Sequence, residues 1–196
     1  ALKAMLNMPL IDDRLAVRLV GYKAHDGGFI DNSYLHLKDI NDVDQLGMRL
    51  GAKWAVSDHG TLSGQFFAQK MDAGDQAIER PYSRVVGTTS VPAAGALTND
   101  AHARQPRSDE TKMGGLNYVH DFGNYNLTLA HSVFRRDNTD DQDLAGLPYF
   151  FAFLQSINEF PPVPVIPNGV FESRQKTAIN PSPARWIPSA TARGSC

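Results

Sequence analysis

Leu46-Gly47-Met48-Arg49-Leu50-Gly51-Ala52-Lys53-Trp54-Ala55-Val56-Ser57 is the stretch that decides the fold class. Its even positions are Leu46, Met48, Leu50, Ala52, Trp54 and Val56. Its odd positions are Gly47, Arg49, Gly51, Lys53, Ala55 and Ser57. One set is wholly apolar and the other small or cationic. A period of two is the signature of an extended strand, because a helix of period 3.6 would scatter both sets around its circumference. Thr61 to Met71 continues the pattern, with Leu62, Gly64, Phe66 and Ala68 against Thr61, Ser63, Gln65 and Gln69. Phe67 is the exception. The four polar or small residues Ser57-Asp58-His59-Gly60 between the two runs predict a tight antiparallel hairpin.

The same alternation occurs on both sides of this hairpin. Ala1 to Leu10 sets Leu2, Ala4, Leu6, Met8 and Leu10 against Lys3, Met5, Asn7 and Pro9. A turn near Ile11-Asp12-Asp13-Arg14 follows, then Leu15 to Tyr22 with Leu15, Val17 and Leu19 opposite Ala16, Arg18 and Val20. Lys112 to Phe122 and Tyr125 to Val133 form a third pair around Gly123-Asn124. A further strand is expected from about Glu172 to Ile179. The chain therefore reads as all-β, an antiparallel up-and-down meander of about six or seven strands.

The connections fall into two classes. Those at 11–14, 57–60 and 122–124 are short, and those at roughly 24–44, 72–110 and 135–172 are long and polar. They alternate strictly, so one end of the sheet collects the turns and the other the loops. Outer-membrane barrels sort their connections this way, with short periplasmic turns and longer extracellular loops. Strands of about ten residues suit a tilted bilayer crossing. Tyr22, Tyr118, Phe122 and Tyr125 lie near strand ends, where interfacial aromatics belong. The expectation is a partial transmembrane β-barrel with Leu46, Met48, Leu50 and Trp54 on its outer face. Arg18, Arg49, Lys53, Gln65 and Asn117 should then face the lumen, to pair with acidic groups, attract anions or merely keep the lumen hydrated.

Composition narrows the function classes. The chain has 196 residues, 42% of them hydrophobic, and a formal net charge of −2, so nothing marks a nucleic-acid binder. No apolar run approaches the roughly 18 residues of a spanning helix. The single cysteine, Cys196, gives neither a disulfide framework nor metal spacing. Ala1-Leu2-Lys3-Ala4 carries no signal peptide and no initiator Met. Because the alternation is already present there, the chain is expected to begin in mid-protein. Residues 180–196, rich in Pro, Ala, Ser and Arg, break the pattern and are expected to be atypical, as an artefactual or a disordered tail.

Segments near the start resemble a known family. Leu6-Asn7-Met8-Pro9-Leu10-Ile11-Asp12-Asp13-Arg14-Leu15-Ala16-Val17-Arg18 looks like the early barrel hairpin of TonB-dependent receptors. Gly27-Gly28-Phe29-Ile30-Asp31-Asn32 is similar to the segment that opens the next extracellular loop. Asp39-Ile40-Asn41-Asp42-Val43-Asp44 with Gly47-x-Arg49 resembles the return into the barrel. The resemblance extends over 1–179 and is most specific in the first 60 residues. It implies uptake of a scarce, bulky ligand, most often a ferric siderophore, across the bacterial outer membrane. It also implies outer-membrane lipid, a plug domain and the TonB complex as partners of the whole receptor, and no resident cofactor. A passive porin-type channel and a soluble β-sandwich binding module are the alternatives.

Chemistry-bearing residues are few. Ser57-Asp58-His59 holds triad residue types, but neighbours in sequence cannot converge on one substrate, so a polar turn is expected. The six histidines show no ligand-like spacing. His120 and His131 fall on paired strands and are read as unrelated wall residues. Asp137, Asp140, Asp141 and Asp143 gather at a loop entrance. Without the glycine and terminal glutamate of a calcium loop, they read as a solvated loop. Tyr149, Phe150, Phe151 and Phe153 form an aromatic loop. It is open to a functional reading, a lip that contacts an apolar or aromatic ligand, and to a bland one, a loop packed over its neighbours or a membrane-interface aromatic patch. No catalytic constellation emerges, so an enzyme is not expected.

Overall fold

The computed structural model describes residues 1–86, 89–144 and 170–179. Tyr149, Phe150, Phe151, Phe153 and the segment 180–196 lie outside the described residues. The long strands are β1 (Leu2–Ile11), β2 (Leu15–Asp26), β4 (Val43–Ala55), β5 (Gly60–Ala73), β9 (Arg107–Asp121), β10 (Asn126–Asp143) and β11 (Val170–Ile179). They form one seven-stranded sheet in sequence order, β1-β2-β4-β5-β9-β10-β11. Every neighbouring pair is antiparallel. The short strands β3 (Asp31–Asn32), β6 (Arg84–Val86), β7 (Thr89–Val91) and β8 (Thr98–Asn99) all fall within the long connections. No helix occurs among the described residues.

Each short connection carries the chemistry its geometry needs. Arg14 N–H donates to Ile11 O at 3.0 Å, and Asp13 adopts φ 56°, which Asp tolerates better than most residues. The Ser57–Gly60 turn closes through Val56 N–H to Gly60 O at 2.9 Å. In the third turn Gly123 takes φ 84°, and its N–H is held by Asp121 Oδ1 at 2.7 Å. Pro9, which cannot donate to a ladder, sits on edge strand β1 beside an irregularity between Pro9 and Ile11.

Register fixes two faces. Leu19, Leu50 and Phe66 lie in one row with Gly114, and Trp54, Leu62 and Tyr118 in another. These rows belong to a face that is apolar toward the short turns and becomes charged toward the loop end, where Lys70, Glu110, Lys112, Arg135 and Asp137 share it. The opposite face holds Arg18, Arg49, Lys53, Gln65, Phe67 and Asn117. Phe67 thus sits among polar residues, opposite Arg49. Tyr22 corrects the sequence expectation, because it shares the polar face and donates to Gln69 Oε1 at 2.9 Å. Its ring lies over Gly47, where an added Cβ would come within 2.3 Å of it.

The apolar face carries little cover. Leu46 is 61%, Leu50 40% and Trp54 45% exposed. The buried apolar residues are Ile30, Ile40 and Ala101, all in the long connections. The strands also run further than the pattern indicated. Lys112 to Phe122 becomes Arg107–Asp121, and Tyr125 to Val133 becomes Asn126–Asp143. Asp137, Asp140, Asp141 and Asp143 are therefore strand residues and not a loop. Polar residues on both faces of these extensions erased the alternation that sequence reading depends on.

The Gly47 site yields a test. Gly47→Val is expected to displace Tyr22 and cost about 1–3 kcal/mol in urea unfolding, as overpacking does. Gly21→Ala, with nothing within 4 Å of the added Cβ, should stay within about 0.5 kcal/mol of the parent.

Candidate functional site: the polar face and the loop platform

Period two brings all five sequence-predicted polar residues to one face. On β2 Arg18 Nε donates to Asn7 Oδ1 of β1 at 2.7 Å. On β4 an Arg49 terminal nitrogen donates to Gln65 Oε1 of β5 at 3.1 Å. Ser63, the register partner of both Lys53 and Asn117, donates its hydroxyl to Asn117 O at 3.3 Å. Lys53 has no hydrogen-bond or ion-pair partner among the described residues. Arg18, Arg49, Lys53 and Gln65 line an open hollow of about 1060 Å³ with Asn7 and Phe67. Two guanidiniums held by neutral amides and the ammonium groups of Lys3 and Lys53, with no acidic residue in the lining, leave this hollow net cationic.

At the loop end the long connections fold against one another. Asp31 and Asn32 of β3 pair in parallel with Thr98 and Asn99 of β8. Asn32 is 1% exposed, donates Nδ2–H to Ala101 O at 2.9 Å and accepts Leu35 N–H at 2.8 Å. Asn41 Oδ1 accepts the N–H groups of Phe29 and Ile30, each at 2.8 Å. Ile40 N–H donates to Ile30 O at 2.8 Å. Gly28 is needed here, because a Cβ would lie 1.9 Å from Asp39 O. The Gly27–Asn32 and Asp39–Asp44 segments quoted for the family resemblance are therefore one packed unit, with asparagine side chains replacing a regular ladder.

An ion pair between a buried carboxylate and a partly exposed guanidinium anchors the second connection. The Asp75 side chain is 0% exposed, and Arg104 Nε donates to its Oδ2 at 2.9 Å. A terminal nitrogen of Arg104 donates to Gly74 O at 2.7 Å. Asp143 at the end of β10 accepts His102 N–H at 2.7 Å, and the Tyr34 and His102 rings stack at 3.8 Å. The platform thus ties the 27–42 and 74–106 connections to β10. Further along β9, away from the apolar rows, Arg136 Nε bonds both Asp109 oxygens at 3.0 Å. The Arg136 hydrogen bonds hold the Asp109 carboxyl below the usual carboxylate range.

The remaining candidates resolve by register. His120 stands opposite Leu127 and His131 opposite Leu116, so the two histidines do not meet. Ser57-Asp58-His59 is a solvent-facing turn, with Asp58 4.0 Å from Arg14. Asp137 is occupied by Arg174 at 2.8 Å and Lys176 at 3.6 Å. Asp140 points to the opposite face from Asp137, Asp141 and Asp143, because strand neighbours alternate. The four cannot surround one calcium ion. His120 joins an aromatic row instead, with Phe122 at 4.3 Å and Phe122 on Tyr125 at 4.8 Å. Sequence reading missed the loop platform, and it missed a His25, Asp42 and Asp44 cluster that forms beside it.

Comparison with protein-family models, curated proteins and solved structures finds no match.

The Asp75–Arg104 pair gives a second test. Arg104→Leu strands a buried carboxylate and is expected to destabilise by about 3–5 kcal/mol. The 74–106 connection should then become the first site of limited proteolysis. Adding Asp75→Asn should restore much of the resistance, and no recovery would show that the pair itself is not what anchors the loop.

Proposed function

We propose that the chain is a section of the wall of a bacterial outer-membrane β-barrel, and that the barrel is a TonB-dependent receptor importing a scarce, bulky ligand such as a ferric siderophore. The observation that carries the reading is the exposed apolar face of a long-stranded meander with all its turns at one end. A buried Leu or Phe gains about 1.5–3 kcal/mol over an exposed one. A face of such residues left in water would forgo on the order of tens of kcal/mol, which lipid removes. On β4 the apolar face runs about 27 Å from Leu46 to Trp54 at ~3.4 Å per residue, while on β5 and β9 it gives way at Lys70 and Lys112 to charged residues toward the loop end. A strand inclined by ~40° brings the β4 span to about 21 Å, close to the ~25 Å apolar band of such barrels.

The ends support the orientation. Tyr118, Phe122 and Tyr125 crowd the short-turn end, as an interfacial girdle would. The platform of folded connections occupies the other end, the extracellular one in this reading. The polar face then becomes the lumen wall, with Arg18, Arg49, Lys53, Gln65 and Asn117 toward the interior. Its net positive charge suits acidic groups of a plug domain or an anionic ligand in transit. The edges of β1 and β11 pair with further strands of the parent protein, because unpaired backbone groups in hydrocarbon are prohibitive. Within the receptor class the reading rests on the resemblance of the first 60 residues.

Two measurements check this. In the full-length protein, Leu50→Arg is expected to cost about 2–4 kcal/mol in folding into lipid vesicles, and Arg49→Leu less than about 1. Equal costs would remove the membrane reading. Deleting the gene should abolish growth on one ferric chelate, with the same loss when the TonB complex is inactivated. Solute passage that needs neither TonB nor a plug would make the protein a porin-type channel.

A further inference from the structure

A cluster of metal-ligating side chains stands where β2 ends and β4 begins, away from the cationic hollow. His25 and Asp44 are register partners, and His25 Nδ1 lies 3.1 Å from Asp44 Oδ1. Asp42 precedes Asp44 by two residues, so an extended backbone sends its carboxylate to the same side. One ligand atom from each of His25, Asp42 and Asp44 falls within 4.8 Å of the other two.

Asp42 is placed by the loop platform. Its carbonyl accepts Gly74 N–H at 2.9 Å. Its Oδ1 lies over Gly74, where an added Cβ would come within 2.2 Å of it. The neighbouring Asn41 is pinned by the Phe29 and Ile30 amides. Among the described residues no Lys or Arg forms an ion pair with either carboxylate, because Arg104, beside Gly74, is held by Asp75 and Lys70 by Asp72. Among the described residues the Asp42 carboxylate has no hydrogen-bond or ion-pair partner, and the Asp44 carboxylate has only His25. Asp72, the β5 partner of Asp44, stays out of the group because Lys70 and Ser108 hold it at 2.8 and 2.7 Å.

We propose that His25, Asp42 and Asp44 bind a divalent transition-metal ion, with zinc the best fit. An imidazole nitrogen with two carboxylates is a borderline donor set that favours zinc over calcium or magnesium, which take oxygen ligands. Donors at ~2.0–2.1 Å from a tetrahedral ion stand about 3.3 Å apart. The His25–Asp44 separation already meets that spacing, and a rotamer adjustment of Asp42 closes the other two edges. Three protein ligands leave one position open to water or to a donor from another molecule. The site ties the end of one strand to the start of the next and to the platform. Bound metal would therefore rigidify the loop end, whether or not the sheet spans a membrane.

The test uses the full-length protein in detergent, with Zn²⁺ titrated calorimetrically and Co²⁺ as a spectroscopic stand-in. The expected result is one equivalent of zinc bound, with a tetrahedral Co²⁺ absorption band. Asp42→Asn and His25→Gln should each weaken zinc binding by about tenfold or more. The control His59→Gln, in the short turn at the opposite end, should leave it unchanged. Zinc should raise the thermal midpoint of the parent and not of Asp42→Asn. Unchanged zinc affinity in both ligand variants, an equal loss in the His59 control, or Ca²⁺ bound as tightly as Zn²⁺ would each overturn the proposal. Because Asp42→Asn acts on the loop platform and His25→Gln on β2, a folding failure in one leaves the other decisive.

Discussion

One backbone ladder running from β1 to β11 governs everything else in this protein. Each long strand exchanges hydrogen bonds with the strands beside it in sequence order, so no side chain can change faces without breaking register. A slip of a single residue would exchange the two faces completely. The short turns are what prevent the slip. Asp13 in the left-handed region, the Ser57–Gly60 closure and Gly123 each fix how two strands meet. With register fixed, Leu50 and Phe66 must share a surface, and Arg49 and Phe67 must share the other.

Among the described residues the sheet itself has no core beneath it. Tight packing is found at the loop end, where Ile30, Ile40 and Ala101 are buried and Asn32, Asn41 and Asn99 supply the missing backbone partners. This division has a physical logic. A sheet whose apolar face meets lipid needs no second layer, whereas long connections in water must bury something to be ordered at all. Asparagine does that well, because one amide group can both donate and accept where no ladder is available. The same ordering places Asp42 beside His25 and Asp44, so the candidate metal cluster is a consequence of the platform.

Particular residues show why some of this was readable in advance. Leu46 to Ser57 declared its strand because one face is apolar and the other is not, a contrast that survives in one dimension. Asp137 to Asp143 did not, since both faces of β10 are polar there and the period vanishes although the ladder continues. Tyr22 was misplaced because its position near a strand end suggested an interface. Its parity put it with Arg18, and Gly47 made room for its ring. The His25 cluster was invisible to spacing rules, since register joins His25 of β2 to Asp44 of β4 and the packing of the loop platform brings in Asp42.

The sequence alone determined the strand class, the order of long and short connections and the chemical character of each face, because period two and turn residues are local properties. The tertiary structure alone decided which residues meet across strands, how far β9 and β10 extend, and that the long connections fold into a platform. It also brought His25, Asp42 and Asp44 together. Those outcomes depend on pairing between residues many positions apart, and no local pattern encodes which partners the ladder will bring into contact.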